Sequence, residues 1–264
     1  MKSRKVHSTA VVDKLCERGD VEIGPFAVIE AGVVLEDGVV IGPHAVVREG
    51  TYVGAGTHVD AHVVLGGAPQ DAGHRRGEKT RLVIGEGCVF REFSTAHRGS
   101  SAGRGLTEIG ARTLLMANSH VAHDCRVGQD VVFTNSAAIA GHVEIGDSAI
   151  LGGLCAVHQH ARIGRLAMVG GGAMCAQDVP PFSVAQGDRA RLYGLNIIGL
   201  RRAGVGAEDI AALKEAWGTL FNRGLPRQDA LRRVEQQGGR VAQVQELLAF
   251  MRTSRRGVCR SGAR

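Results

Sequence analysis

Aromatic side chains are nearly absent from this chain of 264 residues: Phe, Trp and Tyr together make up 4%, with a single Trp. An interior without such rings has to be layered from smaller side chains rather than gathered round one large globular centre. The six cysteines show no paired metal-ligand spacing. Cys88, Cys125 and Cys155 fall where a small buried residue is wanted, and they read as reduced core thiols. No apolar run approaches the length of a membrane helix, and the one after the basic start Met1–Lys5 is cut by Asp13 and Lys14 before it forms a signal-peptide core. Acidic residues are missing from 252–264, where Arg252, Arg255, Arg256, Arg260 and Arg264 supply five of the net +6 charges. A basic stripe with interleaved aromatics is therefore lacking, which argues against nucleic acid as partner. Taken together, these absences point to the cytoplasm and to a chain with no integral membrane segment.

What is abundant is a period of six. Ile23, Ile29, Leu35, Ile41, Val47, Val53, Val59 and Leu65 recur at that interval, and so do Ile109, Leu115, Val121, Val127, Phe133, Ile139, Ile145, Leu151, Val157, Ile163 and Val169. Neither a 3.6-residue helix nor a single amphipathic strand lets one position recur alone every six residues. A β-solenoid does, each hexad supplying one short strand and one corner, with position one inward and a small residue at position five beside it. Gly is plentiful, at 38 residues, and occupies position two in Ile23-Gly24, Ile41-Gly42, Val53-Gly54 and Ile145-Gly146, where it suits a turn. Three hexads per coil make the true repeat eighteen residues, with adjacent coils roughly 4.8 Å apart.

Residues 1–22 read as an imperfect first coil, out of register near Lys14–Gly19. The period stops across the polar, Gly-rich stretch from Gly66, and again at His97–Gly105. Both interruptions leave the prism as loops, near 66–80 and 97–106, where function often resides. The solenoid ends near Asp178-Val179-Pro180-Pro181. We assign 1–190 to the β-helix and 191–264 to a helical C-terminal domain with a basic tail. Its helices are marked by Ile210, Leu213, Ala216, Trp217 and Leu220, then Leu231 and Val234, then Val241, Val244, Leu247, Leu248 and Met251.

The eighteen-residue rule places Asp124, His142 and His160 in one column, and His123, Gly141 and Gln159 in the next. With His120 and His158, five histidines gather on three coils. Any one of them would be read as decorating a corner; the cluster points to chemistry. A neutral imidazole takes a proton near pH 7, and an adjacent carboxylate fixes its tautomer, so His123 is the candidate base and Asp124 its partner. No nucleophile elbow accompanies them, which favours direct attack by a substrate hydroxyl. Gly141, one coil on, offers a bare backbone N–H to a developing oxyanion.

The chain resembles the UDP-N-acetylglucosamine acyltransferases that begin lipid A synthesis, a branch of the hexapeptide-repeat acyltransferases. The matching segments are His97-Arg98-Gly99, His120-Val121-Ala122-His123-Asp124-Cys125, Ala140-Gly141-His142, Val157-His158-Gln159, Ala176-Gln177-Asp178-Val179-Pro180-Pro181, Gln186-Gly187 and Gly194-Leu195-Asn196. The resemblance implies a left-handed parallel β-helix assembled as a homotrimer with sites between subunits, needing no cofactor and no metal. It implies that His123 deprotonates the glucosamine 3-hydroxyl of UDP-N-acetylglucosamine, which attacks an (R)-3-hydroxyacyl thioester on acyl carrier protein, with Asp124 orienting the base and Gly141 serving the oxyanion. Substrate contacts implied in the same way are Asp71, His120, His142, His158, Gln159, Asn196 and Arg202. Gly171 falls where the family sets acyl length, and a glycine there implies an open groove and a long chain.

The sequence departs from the family pattern in three places. Ala72-Gly73-His74-Arg75 stands where a lysine usually follows the Gln-Asp pair, so His74 or Arg75 becomes the candidate for its contacts, with the role of the loop His74-Arg75-Arg76 left open. Ala203 stands in place of an arginine, and Ile198 in place of a glutamate. Rival readings are a metal lyase of the γ-carbonic-anhydrase type, using His120, His123 and His142 as ligands; a non-catalytic scaffold; and an acyltransferase that accepts a 3-amino sugar nucleotide.

Overall fold

A computed structural model describes residues 5–75, 77–238 and 241–262. Met1–Arg4, Arg76 and Arg264, named above for their charge, lie outside the described residues. The hexads build a triangular prism of three parallel sheets. Face one holds nine strands from Val11–Val12 to Met174–Cys175, face two eight from Glu17–Arg18 to Arg162–Ile163, and face three ten from Glu22–Ile23 to Arg191–Leu195. The coil is a left-handed parallel β-helix.

Position one points inward as the period requires: Ile29, Leu35, Ile41, Leu115 and Leu151 are each at most 1% exposed, and Phe90 and Phe133 fill the same register. Strand partners are eighteen residues apart through most of the prism, as in Val28 opposite Val46, Val127 opposite Ile145 and Ile139 opposite Val157. The first coil is one residue short, with Val11 opposite Val28 and Glu17 opposite Val34. Crossing the first loop stretches the offset to 31 residues, as in Val64 opposite Thr95. Crossing the second alone makes it 25, as in Thr95 opposite His120. The loops are thus inserts that leave the stacking of coils untouched.

One expectation about the corners is corrected. Glycine at position two is not there for its turn conformation. It is there because the next coil lies against it: a Cβ on Gly42 would sit 2.8 Å from the Asp60 carbonyl carbon, and one on Gly54 would sit 2.6 Å from that of Gly85. The left-handed conformation falls instead on position four, with φ of 59° at Phe26, 62° at Asn118, 60° at Asp124, 61° at His142 and 62° at His160. A positive φ at the second central residue is the mark of a type II turn, which L side chains other than Gly and Asn occupy at some cost. At the corner between faces one and two that conformation recurs at Asp124, His142 and His160 on three successive coils.

The solenoid runs slightly past the Pro pair. Ser183–Gln186 still pairs in parallel with Met168–Val169, and Arg191–Leu195 then folds back antiparallel onto it. Four helices follow: α1 (Ile197–Arg202), α2 (Ala207–Phe221), α3 (Arg227–Gly238) and α4 (Ala242–Thr253). Of the apolar residues read as helix faces, Ile210, Leu213, Ala216 and Trp217 on α2, Val234 on α3 and Val244, Leu247, Leu248 and Met251 on α4 are buried, whereas Leu220 and Leu231 are partly buried and Val241 precedes α4 as its cap. Helix α4 lies over face two, where Arg165 pairs with Glu246 at 2.7 Å and Arg162 covers the Phe250 ring at 4.4 Å. The described part of the basic tail packs back onto the prism. Val258 bridges Asp178, and Cys259 is 2% exposed.

Candidate active site

The corner between faces one and two carries both loops and the histidines. His123 and Asp124 form its two turn residues after strand His120–Val121, and Gly141 and His142 do the same one coil on. The His142 N–H donates to the His123 carbonyl at 3.0 Å, and the His160 N–H to that of Gly141 at 3.1 Å, so the predicted columns stand in register. The rings of His142 and His160 stack at 4.5 Å, while His123 meets His142 edge-on at 5.2 Å.

His123 Nδ1 lies 2.8 Å from Asp124 Oδ2. The carboxylate is sealed from water at 2% exposure, and its other bonds come from the second loop. Ser100 donates its hydroxyl to Oδ2 at 2.6 Å and its N–H to both oxygens at 3.1 Å, and the Arg104 N–H reaches Oδ1 at 2.9 Å. From below, the Asp124 N–H donates to Thr107 Oγ1 at 2.8 Å. Burial by itself would raise the Asp124 pKa. The hydrogen bonds from Ser100 and His123, with nearby His142, outweigh it and hold the carboxyl below its usual range. Asp124 is therefore a fixed anion, and the imidazole proton belongs on Nδ1.

Gly141 is shaped to the ring of His123: a Cβ there would lie 2.7 Å from both Cε1 and Nε2. Its N–H makes no hydrogen bond among the described residues. Nε2 and a free backbone donor thus sit side by side. His120 is half-buried, with Nδ1 at 2.8 Å from Thr95 Oγ1, and meets His97 edge-on at 4.8 Å. Burial lowers the pKa of His120, and of His97 to about 4, with neighbouring histidines adding to both shifts. His142 also titrates low, through burial partly opposed by Asp124 and Asp71. Asp71 thereby proves to be within electrostatic reach of the corner, at the tip of the first loop.

The other candidates divide. His158 and Gln159 are exposed on the next coil of the same corner. Gly171 is on a different corner, between faces three and one, where an added Cβ would meet only the Gly153 carbonyl at 3.4 Å. Asn196 caps α1, accepting from the Gly199 N–H and donating to the Leu166 carbonyl, both at 2.9 Å. Arg202 is exposed in the last turn of that helix. His74 is partly buried, with Nδ1 2.9 Å from Glu78 Oε2, whereas Arg75 is exposed and only its backbone N–H donates to Glu78 Oε1, at 3.1 Å.

His123, Asp124 and His142 bring three ligand-type atoms within 4.8 Å of one another. His120, the third histidine of the lyase reading, is not in that group, and the Asp124 lone pairs point at O–H and N–H donors. The arrangement suits a hydrogen-bonded base better than a cation. What the sequence did not reveal is the cage of Ser100, Arg104 and Thr107 round Asp124. The only signal was the Gly/Ser/Arg-rich interruption, whose partner was not legible.

Comparison with known proteins decides the lineage. The curated acyl-[acyl-carrier-protein]--UDP-N-acetylglucosamine O-acyltransferase of Halorhodospira halophila is 45% identical over 97% of this chain and 99% of its own, and that of Syntrophobacter fumaroxidans is 43% identical over 97% and 100%. The chain belongs to the UDP-N-acetylglucosamine O-acyltransferase family. Within it, residues 178–259 match the family model for domain 2 of UDP-N-acetylglucosamine O-acyltransferase, and residues 18–49 match the bacterial transferase hexapeptide. Among solved members, LpxA from Acinetobacter baumannii superposes with a TM-score of 0.94 at 36% identity, covering 97% of this chain and all of that one. The Arabidopsis UDP-N-acetylglucosamine acyltransferase gives 0.81 at 32%, with the same coverage. The acyltransferase fold, hexapeptide repeat and enzyme class are thus those of the family.

Proposed function

We propose that this member of the family transfers an (R)-3-hydroxyacyl chain from acyl carrier protein to the 3-hydroxyl of UDP-N-acetylglucosamine, the first step of lipid A biosynthesis, with His123 as general base. The observation that carries the reading is the pairing of a saturated, buried Asp124 with His123 Nδ1 at 2.8 Å, which leaves Nε2 as the basic nitrogen beside the unused Gly141 N–H. As the sugar oxygen bonds to the thioester carbon, its proton passes to Nε2 and the carbonyl oxygen gathers charge at Gly141. Collapse breaks the C–S bond, and the departing thiolate takes the proton back from His123, so the enzyme is unchanged over the cycle.

The character of the three faces supports a homotrimer. Face three turns Leu114, Val132, Ile150 and Met168 outward half-exposed, and face one adds Met174 at 39% exposure. Face two instead carries the ion pairs Arg126–Glu108 at 3.3 Å and Arg162–Glu144 at 3.2 Å. Two apolar faces and one charged face suit a prism packed against two copies of itself. The same packing lets Gly171, Asn196 and Arg202 serve the His123 corner of a neighbour. Among the described residues no helix is long and apolar enough to cross a membrane, and the six free thiols fit a reducing, cytoplasmic setting.

The test is a turnover assay crossing UDP-N-acetylglucosamine and its 3-amino analogue with acyl carrier proteins of graded chain length. The 3-hydroxy sugar with a long 3-hydroxyacyl donor should turn over best, and His123→Ala should lose about 100-fold or more. Full activity in that variant would remove His123 from the role.

A further inference from the structure

The second loop does something the repeat has no need of: it folds back over the corner and closes on one carboxylate. Gly103 comes so near that a Cβ there would lie 2.5 Å from the Asp124 carboxyl carbon. Ser100 is the residue that turns this closure into a directed bond. Its Oγ accepts the Gly103 N–H at 3.1 Å, and its carbonyl accepts the N–H groups of Gly103 at 3.1 Å and Gly105 at 3.0 Å. Oγ takes one donor, and its own proton goes to Asp124 Oδ2 at 2.6 Å, the acceptor it has among the described residues. The chain of donors therefore runs from Gly103 through Ser100 to Asp124, with His123 Nδ1 on the same oxygen.

We propose that Ser100 is a positioning residue for acyl transfer, holding the Asp124 carboxylate in the orientation and charge distribution that set the tautomer and basicity of His123. The inference rests on His123 being the base. The Ser100 hydroxyl shares Oδ2 with the imidazole, drawing charge toward itself while His123 Nδ1 stays hydrogen-bonded to the same oxygen. Other groups face the pair. His142 Nε2 stands 3.9 Å from Asp124, His97 and His120 act on His123 electrostatically, Asp71 and His160 reach it only through His142, and Cys125 feels Asp124 from the core. None of these donates to Oδ2, so the hydroxyl of Ser100 is separable from them.

The experiment uses the full chain with Ser100→Ala, Ser100→Cys and Ser100→Thr, each checked by thermal melting and by elution volume. With the hydroxyl gone, Oδ2 turns more of its charge on His123 and raises the affinity of the imidazole for a proton. Ser100→Ala should then lower kcat by about 10-fold with both KM values within about twofold, and shift the acidic limb of kcat/KM to higher pH by about half a unit. Ser100→Thr should restore both. If the alanine variant does not fold, Ser100→Cys, a weaker donor of similar size, should show the same upward shift in smaller measure. A folded Ser100→Ala or Ser100→Cys enzyme with wild-type kcat and an unmoved limb overturns the proposal, as does a folded Ser100→Thr enzyme that rescues neither. His123→Ala, run beside them, separates the two readings: if it keeps full activity the base assignment is lost, whereas an inactive His123→Ala with a normal Ser100→Ala leaves the base standing and removes only Ser100.

Discussion

Of the histidines at the working corner, His97 is the one closed from water, at 8% exposure and with Nδ1 unpaired among the described residues. Burial, with His120 and His123 nearby, depresses its pKa to about 4. The unfolded chain takes that proton near 6.5. Between those values the unfolded state binds more protons than the folded one, so the contribution of His97 is full above pH 6.5 and is lost as the pH falls toward 4. The loss amounts to about 3 kcal/mol. Urea unfolding midpoints followed from pH 7 to pH 4 at one protein concentration should fall less steeply in His97→Gln than in the wild type, and parallel slopes would refute the assignment. The sequence showed His97 only as part of a motif. Column arithmetic worked for His123, Gly141, Asp124 and His142 because no insert lies between them. It failed for His97, since seven extra residues stand between it and its neighbour His120 and their path is not encoded in a period.

Among the elements, the period of six was readable because only side-chain size matters at position one, and every inward residue obeys that rule whatever its neighbours are. The corners were less readable. Gly24 and Gly42 were assigned to turns, whereas contact between coils requires them, a three-dimensional fact with no sequence mark of its own. The tail is a similar case. Its arginines mark it in the sequence only by charge, whereas its backbone completes the prism: the Asp178 N–H donates to the Gly257 carbonyl and the Cys259 N–H to that of Asp178, both at 2.9 Å. Ser254 also donates to the carboxylate of Asp178, 1% exposed, at 2.7 Å. A chain ending at Thr253 leaves that buried carboxylate short of a donor and the last edge open, a cost of about 1–3 kcal/mol for the side chain alone. Its melting temperature should fall by about 5 °C or more, with turnover per folded enzyme within about twofold of the full chain. An unchanged melting curve would show the tail to be ornamental.

At the scale of the molecule, the placement of Gly171 is the decisive fact. The base stands where faces one and two meet, whereas Gly171 stands where faces three and one meet, so the two lie at opposite edges of face one. We propose that the groove holding both runs between copies, with His123 from one and Gly171 from the next, so that the site exists only in the assembly. Two defective chains should then repair each other. His123→Ala lacks the base but keeps the open end of the groove. Gly171→Met keeps the base, has room for its side chain, and should lose long-chain turnover by about 10-fold or more while tolerating a shorter donor. Co-expressed with distinguishable tags and purified through both, mixed trimers should regain long-chain activity, because in either mixed composition a His123 from the second chain meets a Gly171 from the first at about one site in three. Separately purified trimers combined without exchange should regain none. If the mixed trimers are no more active on long chains than the two parents averaged, the groove lies within one chain and the intersubunit site is wrong; if Gly171→Met keeps its long-chain preference, the position does not measure the acyl chain at all.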